Sequence, residues 1–117
     1  MTALLLLGMC LWLGLGHRYG FAWKPLRGKA FNLTLLALGL LVLQISYGGL
    51  TAGLKAGYIS PTWPLMFGRW IPQGLFTLLE PWYTNLMENS ITVFFIHRWL
   101  AFAVLFAVLG MWWVVRR

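Results

Sequence analysis

The stretch FFIHRWLAF, residues 94–102, places a histidine and an arginine side by side within an apolar and aromatic segment. Ionisable side chains inside a membrane span are rare and are usually functional. Neutral imidazole is a common axial ligand of haem iron, which makes His97 a candidate metal ligand. Ala101 and Val104 share its helix face and leave room for a flat porphyrin. The alternative is a buried histidine that hydrogen-bonds a neighbouring helix, and both interpretations stay open at this point.

Arg98 is the second candidate, and it projects about 100° away from His97 around a helix. Its planar guanidinium suits a carboxylate, such as a haem propionate. Two other roles are equally compatible with the residues. The side chain can extend to the outer membrane interface, or it can pair with Glu88.

The third candidate is a glycine-rich run with regular spacing. In GGLTAGLKAG, Gly49, Gly53 and Gly57 recur every four residues, which on a helix makes a stripe without side chains. Close packing against another helix is the favoured interpretation, ahead of close approach by a cofactor. A nucleotide-binding loop is excluded, since no strand precedes the run and no Gly-Lys-Ser/Thr follows it.

The remaining residues that could take part in catalysis or metal binding form no recognisable site. Glu80 and Glu88 are the only carboxylates, and Pro81 interrupts the segment between them. The single cysteine, Cys10, cannot form an intrachain disulfide and lies in an apolar run. No Ser/His/Asp set or Cys/His metal cluster is present in the sequence.

The composition of the chain indicates whether water or lipid surrounds these residues. The 117-residue chain is 61% hydrophobic and only 9% charged, whereas soluble domains are nearer 25% charged. The lipid bilayer is therefore the expected partner. The net charge of +7 comes from basic residues clustered between and after apolar runs, which indicates membrane orientation. No basic stripe with interleaved aromatic residues is present, so nucleic acid is not expected.

Hydropathy predicts an all-α membrane protein with three transmembrane helices. Basic flanking residues place the first linker and the end of the chain on the inner side. Asn89 or Ser90 is a plausible N-cap for the third helix, and a short interfacial helix is expected at Gln73–Leu79. The predicted segments are helix one at 2–16, a basic inner loop at 17–29, helix two at 30–50, a large outer loop at 51–90 and helix three at 91–115.

This topology separates the two histidines of the chain. His17 falls at the inner end of helix one, whereas His97 falls near the outer end of helix three. Most of the bilayer thickness lies between them, so they cannot clamp one haem. A second axial ligand for His97 must come from elsewhere, and His17 is expected to be an interfacial flanking residue.

Two stretches carry a resemblance to a known family. GGLTAGLKAGYISPTWPLMFGRWIP and NLMENSITVFFIHRWLAF resemble the second half of haem A synthase, a cytochrome oxidase assembly family. Several motifs occur in the family's order and spacing over residues 44–104, whereas the flanking runs fit by position only. The resemblance implies that the chain is a fragment: three helices, part of a four-helix half-bundle of an eight-helix parent.

The family's chemistry is implied in the same way. The parent would oxidise the C8 methyl of haem O to a formyl group, making haem A for cytochrome oxidase. His97 would be an axial iron ligand of a haem b cofactor, and Arg98 a weaker candidate for its propionate. No catalytic residue is expected, because Phe94 stands where the other half of the family carries a catalytic glutamate. Haem O synthase and oxidase assembly factors are the implied protein partners.

Two further functions stay open on the residues. One is a small membrane cytochrome that gains a second ligand by forming a homodimer. The other is a structural membrane subunit without haem. The expected location is a bacterial inner membrane rather than a mitochondrial one, since no transit peptide is recognisable.

Overall fold

A computed structural model of the chain describes residues 2–20 and 28–116, which are helical apart from one long loop. The helices are α1 (Thr2–Tyr19), α2 (Lys29–Gly53) and α3 (Ser90–Arg116). Two short 3₁₀ helices, Ala56–Tyr58 and Trp82–Leu86, lie between α2 and α3. The prediction of an all-helical chain with three helices is confirmed for the described residues. Residues 21–27 of the predicted inner loop lie outside them.

Two of the three helices have the length and apolarity to cross a bilayer. These spans are Phe31–Gly53 in α2 and Ser90–Val114 in α3. At a rise of about 1.5 Å per residue each exceeds the hydrocarbon thickness of roughly 30 Å. By length and composition both helices are thus suited to cross a membrane, and the crossing of the membrane by α1 stays a prediction.

Helices α2 and α3 pack against each other in antiparallel orientation. Near one end, Thr34 Oγ1 donates a hydrogen bond to Met111 Sδ over 3.4 Å. Ala37 of α2 and Ala107 of α3 are buried at the same level. Small residues let two membrane helices approach closely, and dispersion contacts then hold them together. Among the described elements, α1 packs against none of the others.

Asn85 organises the loop above this helix pair. It is fully buried. Its Oδ1 accepts hydrogen bonds from the backbone N–H groups of Leu78 and Leu79, both over 3.1 Å. Its Nδ2 donates to the carbonyls of Leu79 and Trp82 over 2.7 and 2.9 Å. One side chain thus satisfies the backbone of a segment that has no regular structure of its own.

The helix predicted at Gln73–Leu79 is wrong, because this segment forms turns. Gly74 and Phe76 adopt positive φ angles of 84° and 59°, which no right-handed helix accommodates. Asn85 takes over the hydrogen bonding that a helix would have supplied internally.

Asn89 caps the helix that carries the candidate ligand. Its Oδ1 accepts from the N–H groups of Ile91 and Thr92 over 3.0 and 3.4 Å. Its Nδ2 donates to Asn85 Oδ1 over 2.9 Å. The start of α3 is thereby tied to the loop that precedes it.

Candidate functional site

His97 lies on α3 and turns its imidazole toward α2. A β-carbon built on Gly48 would lie 3.2 Å from His97 Cε1 and 3.8 Å from Nδ1. A distance of 3.2 Å is tighter than most contacts between carbon atoms. The missing side chain of Gly48 therefore makes the space into which the partly buried imidazole fits.

His97 Nδ1 is buried and has no hydrogen-bond partner in the described structure. The sequence left open a hydrogen bond from this histidine to a neighbouring helix, and Nδ1 makes none to any residue that the structure describes. A buried polar atom without a partner costs about 1–3 kcal/mol, so its presence calls for a physical explanation, of which a functional role is one. An iron-ligating histidine typically uses its other ring N–H in a hydrogen bond.

Two more buried oxygens without partners lie on the same face of α2 as Gly48. They are Gln44 Oε1, one turn before the glycine, and Thr51 Oγ1, one turn after it. Residue types alone did not single out Gly48, Gln44 or Thr51 as site residues. The available signal was their spacing of four and three residues, which places all three on one helix face.

Arg98 holds the outer loop to α3. Its NH2 donates to the carbonyl of Thr62 over 2.9 Å and to that of Ser60 over 3.4 Å. Its guanidinium carbon lies 4.3 Å from the centre of the Phe94 ring, and its NH1 is buried without a partner. The structure thus gives Arg98 backbone carbonyls as partners, which none of the roles weighed from the sequence included.

A cavity of about 330 Å³ opens beside Arg98, between α3 and the outer loop. Its walls are apolar and largely aromatic, with Trp63 and Trp70 from the loop and Trp99 and Phe102 from α3. Among the described residues that line it, Arg98 is the one charged side chain, and His97 is not among them. The structure therefore places the two candidate site residues on different faces of α3.

The glycine stripe makes no close contact with the described part of the chain. Nothing lies within 4 Å of a β-carbon built on Gly49, Gly53 or Gly57. Lys55 adopts a left-handed conformation that ends the α-helical path before Gly57. The glycine that meets α3 is Gly48, immediately before the stripe.

The other candidates contribute nothing to this site. His17 is exposed on α1, and Cys10 is exposed as well. Within residues 2–20 and 28–116, no group of three or more His, Cys, Asp or Glu side chains could hold a metal ion. A single histidine can still serve as one axial ligand of haem, because the porphyrin supplies the four equatorial nitrogens.

Comparison with known proteins gives consistent results. Residues 1–117 match a family described as cytochrome oxidase assembly protein. A protein named Heme A synthase from Parvibaculum lavamentivorans is 38% identical over 98% of this chain and 33% of its own length. Its namesake from Agrobacterium fabrum is 42% identical over 92% of this chain and 29% of its own. The chain thus spans a third or less of these relatives.

A shorter region is more similar still. The Heme A synthase of Brucella ovis is 55% identical over 64 residues, which is 55% of this chain and 18% of that protein. No solved structure matches the chain.

Proposed function

This chain belongs to the cytochrome oxidase assembly protein family, and from that premise we propose that it contributes part of a haem b site to a haem A synthase. The parent enzyme would oxidise the C8 methyl of haem O to a formyl group, yielding haem A for cytochrome oxidase. Haem O synthase and oxidase assembly factors would be its partners. The location would be the inner membrane of a bacterium, in keeping with the bacterial relatives.

His97 is the iron ligand in this proposal, and the space made by Gly48 is the observation that carries it. The imidazole already fits against α2 without a competing hydrogen bond at Nδ1. These features suit a ligating histidine, whose ring must be held in one orientation. The haem itself would supply redox chemistry, while this chain holds and orients it. A second ligand for the iron would come from outside this chain, or from a water or another group.

Arg98 is the proposed partner of a haem propionate. Its NH1 is buried and still lacks an acceptor, while NH2 fixes the guanidinium to the outer loop. An arginine in an apolar cavity favours a carboxylate strongly, because water competes little there. The cavity lies at the loop end of α3, so the carboxylate would enter from the outer side.

The Arg98 proposal is tested by removing the charge on each side of the contact. In the full-length protein, Arg98→Gln is expected to weaken haem binding roughly 10- to 100-fold, since a hydrogen bond to a charged group contributes about 1.5–3 kcal/mol. Binding of haem dimethyl ester, which has no free propionate, should weaken far less. Optical titration of the apoprotein measures both affinities, and Arg69→Gln, which changes an exposed arginine of the outer loop, is the control.

Equal losses for haem and its dimethyl ester would contradict the Arg98 assignment. Such a result would mean that Arg98 acts only by holding the carbonyls of Ser60 and Thr62.

The enzymatic proposal is tested by haem analysis of cells. The complete gene is expressed in a bacterium that makes haem O but lacks its own haem A synthase. Extracted haems should then include haem A by chromatography and mass spectrometry. A purified protein that contains haem b while the cells accumulate only haem O would contradict the enzyme and favour a membrane cytochrome.

A further inference from the structure

Thr51 is unusual among the hydroxyl residues of α2. Its Oγ1 is buried within the membrane span and has no hydrogen-bond partner. A helical threonine normally bonds the carbonyl four residues earlier. Ser46 in the same helix does so, donating to the Val42 carbonyl over 2.9 Å. The hydroxyl of Thr51 is thus available for another partner.

The position of Thr51 on α2 indicates which partner that is. It follows Gly48 by three residues, and helical side chains lean over the turn that precedes their own Cα. The hydroxyl therefore leans toward the turn of Gly48, where a β-carbon built on the glycine would lie 3.8 Å from His97 Nδ1. Gln44 precedes Gly48, so its side chain leans away from that turn.

We propose that Thr51 is a positioning residue for His97. In the haem-loaded protein, Thr51 Oγ1 accepts a hydrogen bond from His97 Nδ1–H. This single contact satisfies both buried atoms. It also fixes the imidazole tautomer, because a proton held on Nδ1 leaves the Nε2 lone pair for iron. The inference rests on the proposed function, in which His97 binds haem.

The contact has an electronic consequence that packing alone does not produce. A hydrogen bond from Nδ1–H makes the imidazole a more basic ligand, which stabilises ferric over ferrous iron. Outer partners of metal-bound histidines typically change affinity 10- to 100-fold. For a neutral hydroxyl such as that of Thr51, we expect a change at the lower end of this range, about 10-fold. A tenfold change in the ratio of ferric to ferrous binding corresponds to about 59 mV for one electron.

The experiment compares isosteric variants of the full-length holoprotein. Thr51→Val keeps the shape but lacks the hydroxyl, and it should raise the haem b midpoint potential by about 59 mV. Thr51→Ser should restore the wild-type potential. Ser46→Ala is the matched control, because that hydroxyl already bonds its own helix. Redox titration measures the potential, and electron paramagnetic resonance of the ferric haem reports the strength of axial ligation.

The outcomes separate this inference from the proposed function. A wild-type protein that holds haem through His97, with the same potential in Thr51→Val, overturns the role of Thr51 alone. A shift that Thr51→Ser does not restore also overturns it, as does a shift produced by Gln44→Leu instead. If the wild type binds no haem, the proposed function fails first. Should Thr51→Val not accumulate, Thr51→Ala carries the same expectation.

Discussion

Replacing His97 with alanine in the full-length protein is expected to abolish the six-coordinate spectrum of haem b. Loss of an outer partner of a metal-bound histidine costs 10- to 100-fold in metal affinity. Loss of the ligand itself should therefore weaken retention of this haem by at least about 100-fold. The Soret band of purified protein, measured against its protein content, gives the result directly. Adding imidazole to the His97→Ala protein should restore part of the band, since the cavity left by the ring remains.

The control for this prediction is His17→Ala. His17 is exposed on α1, which contacts neither α2 nor α3 among the described elements. Its replacement should leave the spectrum unchanged. A His97→Ala protein with an unaltered Soret band and midpoint potential would remove His97 from the haem site, and with it the proposed role of this chain.

The helices could be predicted from the sequence because they depend on local properties. Long apolar runs without charges must satisfy their backbone internally in lipid, and only a helix does so within one segment. That argument needs no knowledge of neighbours. It accounts for α2 and α3, whose spans are long and apolar enough to cross a bilayer.

The outer loop could not be predicted in the same way, since it depends on contacts between distant residues. Asn85 reaches back to Leu78 and Leu79, and Arg98 reaches the carbonyl of Thr62 from 36 positions away. The residue types asparagine and arginine do not by themselves indicate which partners they bond. The apolar segment before Asn85 has a helix-like composition, and its turns are stabilised because the Asn85 side chain accepts its backbone hydrogen bonds.

The candidate site, too, depends partly on residue type, which the sequence shows, and partly on spatial position, which it does not. An ionisable residue in an apolar helix is conspicuous by its type, so the sequence indicates His97 as a candidate ligand. The sequence does not indicate which residues surround His97, because the regular spacing of Gly49, Gly53 and Gly57 points to a neighbouring face of α2. A shift of one residue turns a helix by about 100°. The face that meets His97 is the one that carries Gly48.

Gly48 is therefore expected to be the most sensitive glycine of α2. A β-carbon there would lie 3.2 Å from His97 Cε1, so Gly48→Ala must displace the ring by a few tenths of an ångström. Gly48→Val adds branches that the interface cannot accept, and overpacking of this kind costs about 1–3 kcal/mol. We expect haem affinity to fall about 10-fold for alanine and further for valine, measured by haem titration of the apoprotein.

Gly49→Ala is the matched control for Gly48→Ala, since both changes add one methyl group to adjacent positions of one helix. Nothing in the described structure lies within 4 Å of a β-carbon at Gly49. General effects of replacing glycine, including its greater backbone freedom, are the same at the two sites. A difference between the variants thus isolates the contact with His97. Equal haem affinities in Gly48→Ala and Gly49→Ala would mean that the imidazole does not depend on the space at Gly48, and the placement of His97 against α2 would have to be abandoned.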